Sequence, residues 1–185
     1  MHSTSSCGTL SFAVSEIKQV PQVIEDSVFE ENLGSASTLA DHGTYVKLDV
    51  INTKFIRNKA VYNSMLLYSS NAIFDSCVFD GEVVSRGIID IVSFGPEYYD
   101  NIPRKIILRD VIFKNTKHKG NEVWVRKLND VNDFNSIVVI EGNTNAHIDV
   151  WQGNEVYVKG VLNGTIDTDT LTPKDNIVVE DNAKI

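Results

Sequence analysis

Four phenylalanines recur at nearly regular spacing, and they constrain the fold more than any other feature of this sequence. Phe29, Phe55, Phe79 and Phe113 lie 26, 24 and 34 residues apart, and a small polar residue stands three positions before each of them. The longest interval contains an apparent insertion, Phe94 to Pro103, and removing these roughly ten residues restores a spacing near 24. A constant period of this size is typical of stacked structural repeats.

Each period contains two or three short runs of strand type. Val and Ile number 23 and 18, whereas Leu and Ala number 10 and 7, so β-branched residues dominate the apolar set and favour pleated strands. The runs are bounded by Asn, Asp, Gly or Ser and include Ala72 to Phe79 and Lys105 to Phe113. No segment shows the sustained 3.6-residue apolar stripe of an amphipathic helix. The pattern therefore predicts an all-β chain.

The repeat favours parallel stacking over an antiparallel sandwich. A sandwich would show hairpin turns such as Asn-Gly between adjacent strands, but Asn163-Gly164 is the single Asn-Gly of the sequence. In a parallel β-helix the same strand recurs once per coil, and identical polar turn residues stack as hydrogen-bonded ladders. At about 24 residues per coil, the 185 residues predict about seven coils.

The turns after two of the phenylalanines carry a family resemblance. Phe29-Glu30-Glu31-Asn32 and Phe55-Ile56-Arg57-Asn58 resemble the Phe-x-x-Asn turns of right-handed parallel β-helices of the pectin-lyase-like kind. The third and fourth copies depart from this pattern, with Asp80-Gly81-Glu82 after Phe79 and Lys114-Asn115-Thr116 after Phe113. The resemblance covers about residues 20 to 145 and implies a right-handed parallel β-helix, a solenoid with terminal caps.

The period shortens after Asn143, and this change suggests three regions. We expect residues 1–20 to form an N-terminal cap, 21–145 the coils, and 146–185 shorter coils or a cap or oligomerisation segment. A solenoid needs caps because its last coil otherwise exposes an apolar cross-section and unpaired strand edges.

Positive charge is concentrated in one segment. Residues 104–127 contain eight Lys or Arg and two acids, in a chain whose formal net charge is −8. We predict either a solvated turn region or a basic patch for an anionic polymer or acidic subunit. The patch residues are Arg104, Lys105, Arg109, Lys117, Lys119, Arg126 and Lys127. Nucleic acid is not expected as a partner, because the overall negative charge repels phosphate.

The insertion is the candidate carbohydrate-binding loop. It places Tyr98 and Tyr99 beside Glu97 and Asp100. Aromatic faces pack on the apolar faces of sugars, and neighbouring carboxylates accept hydrogen bonds from hydroxyls. The alternative is a loop whose aromatics cover apolar surface of the coils.

Paired carboxylates could hydrolyse glycosidic bonds, and the acids on coil faces are Asp75, Asp80, Asp90 and Asp110. Alternation in Ile89-Asp90-Ile91 predicts that Asp90 points outward as an exposed strand residue. Trp124 lies in a strand and is expected in the core or a subunit interface, whereas Trp151 is expected to be partly exposed. Asp167 to Thr170 is predicted to be a polar connector.

Other common sites have no signature here. The four histidines lack metal-ligand spacing, and no phosphate loop, nucleophile elbow or dinucleotide fingerprint occurs, so we expect no metal and no cofactor. Cys77 is expected to be a buried core residue, and two cysteines do not make a disulfide framework. We expect no membrane helix and no signal peptide in the sequence, which lacks a basic leader and a long apolar run.

These features favour a non-catalytic module resembling phage tail spikes and other virion appendages. We expect such a module to bind surface polysaccharide, to form a homotrimer and to function on a virion or outside the cell. Two alternatives remain open. One is a pectin-lyase-like polysaccharide lyase or glycoside hydrolase, and the other is an adhesin-like passenger fragment.

Overall fold

The computed structural model describes residues 4–5, 10–13, 21–34, 37–42, 47–68, 71–93, 104–127 and 135–185. Within these ranges the fold is all-β, as predicted, with no α-helix and one 3₁₀ turn, Lys174–Asn176. In chain order the strands are β1 (Thr4–Ser5), β2 (Leu10–Ala13), β3 (Pro21–Glu25), β4 (Val28–Glu30), β5 (Leu33–Gly34), β6 (Ser37–His42), β7 (Lys47–Ile51), β8 (Lys54–Ile56), β9 (Lys59–Ala60), β10 (Asn63–Tyr68), β11 (Asn71–Asp75), β12 (Val78–Asp80), β13 (Ile89–Ser93), β14 (Arg104–Arg109), β15 (Ile112–Lys114), β16 (Val123–Lys127), β17 (Ser136–Glu141), β18 (Asn143–Thr144), β19 (His147–Val150), β20 (Glu155–Val158), β21 (Val161–Leu162), β22 (Thr165–Thr168) and β23 (Ile177–Val179).

The strands form stacked parallel sheets, and the stacking order follows the sequence repeat. Sheet I has the order β23-β20-β17-β14-β11-β7-β3, and sheet II has the order β2-β6-β10-β13-β16-β19-β22. Sheet III has the order β15-β12-β8-β4, and smaller sheets join β1-β5-β9 and β18-β21. Every pairing among the described strands is parallel, and no sheet closes on itself. This arrangement is compatible with a parallel β-helix.

The recurring phenylalanines stack in register along sheet III. Phe29, Phe55, Phe79 and Phe113 are paired strand to strand, and their ring centroids lie 5.0, 4.8 and 5.0 Å apart with planes within 11° of parallel. All four rings are at most 5 % exposed. The predicted repeat is therefore confirmed. It persists across the 34-residue interval, because Phe79 and Phe113 are as close as the other pairs.

Sharp bends with positive φ separate sheet I from sheet III. Asn52, Ser76 and Asp110 have φ of 45°, 56° and 52°, a left-handed conformation that small polar residues tolerate better than most. Hydrogen bonding between levels continues through the bend, since the Ser76 amide donates to the Arg109 carbonyl at 2.9 Å. The predicted continuous runs 72–79 and 105–113 are therefore wrong in one respect, because each consists of two strands joined by such a bend.

A buried polar ladder runs beside the phenylalanine stack. The backbone and side-chain amides of Asn32 donate to the Asn58 Oδ1 at 2.9 and 2.8 Å. The same two groups of Asn58 donate to the Glu82 Oε1, also at 2.9 and 2.8 Å. The predicted asparagine ladder thus exists at these turns. Its third level is Glu82, in the copy whose sequence departs from the motif.

The apolar interior lies between the sheets and forms columns one residue wide. One column of sheet I contains Val50, Phe74, Leu108, Ile140 and Val158, each 0 % exposed. The next residue in register is Val179 in β23, which is 45 % exposed because no strand pairs with its outer edge among the described residues. The stack therefore presents an apolar end at β23.

Candidate functional site

The predicted carbohydrate-binding loop cannot be placed. Glu97, Tyr98, Tyr99 and Asp100 all lie outside the described residues. The binding role assigned to them remains a prediction.

The seven predicted patch cations are spread around one turn of the repeat. Arg104, Lys105 and Arg109 lie on β14 in sheet I, whereas Arg126 and Lys127 lie on β16 in sheet II. The segment between these strands holds Lys117 and Lys119, which are exposed. Arg104 and Lys127 are only 4 % and 6 % exposed. In a stack of coils, cations that are close in sequence belong to different faces.

Two of these cations are paired with carboxylates. Arg109 donates to Asp75 at 2.9 Å and to Glu141 at 2.9 and 2.5 Å, and so links three levels of sheet I. Arg126 donates two hydrogen bonds of 2.8 Å to the carboxylate of Asp90 on the level below. Both guanidinium groups are therefore partly neutralised by the chain itself.

The burial predicted for Asp90 is wrong. Its neighbours Ile89 and Ile91 lie in the core as expected, but Asp90 itself is 0 % exposed. It accepts the Arg126 pair and a 3.0 Å hydrogen bond from the Asn63 amide. A carboxylate can be buried on this face because its charge is compensated by a bidentate arginine.

The other predicted acids lie at bends, where they hold neighbouring levels together. Asp80 contacts Lys114 at 3.2 Å and accepts a hydrogen bond from Asn115, and that bond is the main cause of its lowered pKa. Asp110 accepts a 2.7 Å hydrogen bond from the amide of Asn143. These contacts give the acids a structural role.

A different group of residues forms the strongest candidate site. Three neighbouring strands of sheet II, β16, β19 and β22, carry this site on their outer side. On each strand and the residues next to it, three outward side chains alternate with core residues, so that the site consists of three rows of three. We call this surface the tryptophan–aspartate face. Its rows are Glu122, Trp124 and Arg126; His147, Asp149 and Trp151; and Thr165, Asp167 and Asp169.

Two stacked indoles lie on adjacent rows of this face, beside Asp149 at its centre. The Trp124 and Trp151 rings lie 6.1 Å apart at an angle of 23°, and Trp151 is 38 % exposed. Gly87 on the level below allows this packing, because a Cβ there would come within 2.9 Å of the Trp124 ring. The indole of Trp151 is therefore held against a rigid neighbour while one part of it faces solvent.

The exposed indole has Asp149 on its own row, Asp167 and Asp169 on the next row, and Arg126 on the row before. Asp149 and Asp167 are paired in register on adjacent strands, and Asp167 accepts a 2.9 Å hydrogen bond from the Asn121 amide. Burial raises the pKa of Asp149, the carboxylates of Asp167 and Asp169 raise it further, and a hydrogen bond from Trp151 opposes the shift. The surroundings of Asp149 therefore favour its protonated form relative to a free aspartate.

A hydrogen-bonded chain borders the face on one side. His118 contacts the carboxylate of Glu122 at 3.2 Å, and the same carboxylate accepts a 2.7 Å bond from the amide of His147. The His147 ring in turn contacts the Thr165 hydroxyl at 2.9 Å. Burial acts to raise the pKa of Glu122, but the bonds from His118 and His147 outweigh it, and the pKa is lowered. These contacts fix all three levels relative to one another.

The sequence reasoning missed this face because its residues come from three different levels. The expectation that Trp151 is partly exposed is confirmed, and Trp124 is half-buried. Asp167 and Thr168 belong to strand β22, so the predicted connector is wrong at these positions. The register between β16 and β19 was the missing information, since it places Trp124 beside Asp149 across 25 residues.

Within the described ranges, no three His, Cys, Asp or Glu side chains are grouped as metal ligands. No helix in this part of the chain has the length and apolarity to cross a membrane. A scan against protein-family models, a search of curated proteins and a search of solved structures each returned no match.

Proposed function

We propose that this chain is a right-handed parallel β-helix that binds polysaccharide through the tryptophan–aspartate face. The proposal rests on one observation, the exposed indole of Trp151 stacked on Trp124 among carboxylates. An indole packs on the apolar face of a sugar ring while carboxylates accept hydrogen bonds from its hydroxyls. Because the side chains stand on paired strands, little ordering entropy is lost when a glycan binds.

The finer features of the fold belong to the same proposal. Parallel strands joined by a crossover are almost always connected with a right-handed sense, which supports a right-handed coil. Seven strands in each long sheet support about seven coils. A rod of stacked coils with a glycan-binding side resembles the virion appendages expected from the repeat pattern and from its change near the C-terminus.

The test compares Trp151→Ala with a matched aromatic variant, Tyr62→Ala. Tyr62 is 45 % exposed and lies under the Arg86 guanidinium, on a separate level from the face. Binding is measured first on a glycan array and then by calorimetry. We expect Trp151→Ala to weaken binding at least tenfold, the equivalent of about 1.4 kcal/mol, and Tyr62→Ala to leave it unchanged. The proposal fails if the native chain binds no glycan or if both variants bind equally well.

Glycoside hydrolysis is a second candidate, favoured by two carboxyls that lie in register on adjacent strands. Asp149, with its raised pKa, could act as the general acid, and Asp167 beside it as the base or nucleophile. Hydrolysis predicts that reducing ends accumulate when the bound glycan is incubated with the chain. Asp149→Asn and Asp167→Asn should each abolish their release while binding persists.

A further inference from the structure

The tryptophan–aspartate face carries an excess of negative charge. Its acids are Glu122, Asp149, Asp167 and Asp169. The arginine of the face, Arg126, is occupied by the buried carboxylate of Asp90 at 2.8 Å. The amide of Asn121 is neutral and serves only to orient Asp167. An anionic sugar would therefore meet carboxylates on this surface with no uncommitted guanidinium among the nine residues of the face.

The indole and the carboxylates together suit a positively charged ligand. A tryptophan face attracts a cation through its quadrupole, and carboxylates beside the ring add direct charge pairing. Trp151 is exposed two residues after Asp149, and Asp169 follows Thr168, the register partner of Val150, on the next row. The Asp169 carboxylate accepts hydrogen bonds from the backbone amides of Gln152 and Leu171. Asp149 precedes Trp151 by two residues on the same row, so an acidic and an aromatic side chain are neighbours on this face.

We infer that the polysaccharide bound by this face carries free amino groups, so that ammonium groups of hexosamine units lie against Trp151 and between the carboxylates. This inference rests on the proposed function, because it names the class of glycan for the same site. It excludes polyuronates and phosphorylated glycans as preferred ligands, since their charge has the same sign as the face.

The test measures the affinity of the native chain for four oligosaccharides of equal length. They are a glucosamine oligomer, its fully N-acetylated form, a glucose oligomer and a galacturonate oligomer. The affinities are measured by calorimetry at mildly acidic pH, at which the amino groups are protonated. We expect the glucosamine oligomer to bind at least tenfold more tightly than the acetylated and neutral forms, with an affinity that falls as salt is added.

Nonspecific attraction to an acidic chain is controlled with charge-matched variants. Asp149→Asn/Asp167→Asn removes two charges from the face, whereas Asp175→Asn/Asp181→Asn removes two exposed charges near the C-terminal end of the stack. We expect the first pair to reduce binding of the glucosamine oligomer to the level of the neutral one, and the second pair to have little effect. Circular dichroism confirms that both variants are folded.

The outcomes separate this inference from the proposed function. Equal binding of the acetylated or neutral oligomer, tighter binding of galacturonate, or an equal effect of the two double variants overturns the inference and leaves glycan binding standing. Failure to bind any member of the panel or of a broader glycan array overturns both.

Discussion

At the residue scale, Glu82 lies in the environment least suited to its charge. It is 0 % exposed, and burial raises its pKa against the hydrogen bonds donated by Ser64 and Asn58. Its Oε1 accepts two bonds from Asn58, and its Oε2 accepts one of 2.5 Å from the Ser64 hydroxyl. The residue is therefore both a required acceptor and a source of pH dependence.

We predict that Glu82→Gln stabilises the fold at neutral pH. In the unfolded chain Glu82 ionises near its ordinary pKa of 4.5, whereas in the folded chain it ionises at a higher pH. Its contribution to the free energy of unfolding is therefore complete below pH 4.5 and is lost as the pH rises through the folded pKa. Glutamine retains an acceptor for Asn58 and removes the buried charge. Urea unfolding between pH 4 and 7 should show a flatter pH profile and a higher free energy of unfolding at pH 7.

Glu82→Ala is the control for this prediction. It leaves the donors of Asn58 and Ser64 without acceptors, which costs about 1–3 kcal/mol for each buried group. If the glutamine variant were destabilised at pH 7 as much as the alanine variant, buried charge would not be the source of the effect.

Cys77 should be unreactive while the chain is folded. It is 0 % exposed, and burial raises its thiol pKa to about 11. At pH 8 this shift alone lowers the thiolate fraction about 100-fold relative to a free thiol of pKa 9. In a Cys7→Ser background, labelling with a chromogenic disulfide should be at least that much slower in buffer than in concentrated urea. Rapid labelling of the native chain would show that the structure around Cys77 unfolds locally and exposes the thiol.

At the scale of structural elements, sheet III depends on its stack of four rings. Among the described side chains, Phe55 and Phe79 each stack between two phenylalanines of sheet III, whereas Phe29 and Phe113 each stack on one. Each stacked pair is worth about 0.5–1.5 kcal/mol beyond the apolar area that it buries. The centre of the stack should therefore be more sensitive to substitution than its ends.

Phe55→Ala and Phe29→Ala test this difference. We expect Phe55→Ala to cost about 3–5 kcal/mol, because it removes a buried ring and leaves a cavity, and Phe29→Ala to cost less. Thermal and urea unfolding would give both values. Equal losses would mean that stacking adds nothing to burial.

The elements also show how far the sequence alone could lead. The phenylalanine period and the turn asparagines predicted the parallel stack, because a regular repeat brings equivalent residues into contact. The bends at Ser76 and Asp110 are not predictable from the sequence, because neither residue is a glycine. Each stands within an apolar run that has the composition of one continuous strand. The contact between Trp124 and Trp151 cannot be predicted without the strand register. The cations of residues 104–127 are close in sequence, but the structure places them on different sheets.

At the scale of the whole molecule, the end of the stack at β23 combines exposed apolar side chains with a strand edge that no other described strand pairs with. The end at β23 presents Val178, Val179 and Ile185, which are 38, 45 and 57 % exposed. Together with the unpaired strand edge, these side chains suit association with other chains. Such association is compatible with the homotrimer expected from the sequence, but it does not by itself select three chains.

The mass in solution tests that proposal. A trimer would have three times the 20.6 kDa of one chain by light scattering coupled to gel filtration. We expect that mass to persist on dilution to micromolar concentration, and we expect Val179→Asp to shift it toward the monomer. A native chain that elutes with the mass of one chain would contradict the proposal.

The unchanged spacing of Phe79 and Phe113 has a consequence for how such a chain can vary. Their rings remain 5.0 Å apart although ten more residues separate them than separate Phe55 from Phe79. The rise of the rod is therefore independent of the length of the connection between Ser93 and Arg104. The entropic cost of closing a loop rises only slowly with its length. Foreign peptides could therefore be grafted at this connection without changing the strand register of the levels that follow. New recognition segments could be gained or exchanged there while the scaffold keeps its geometry.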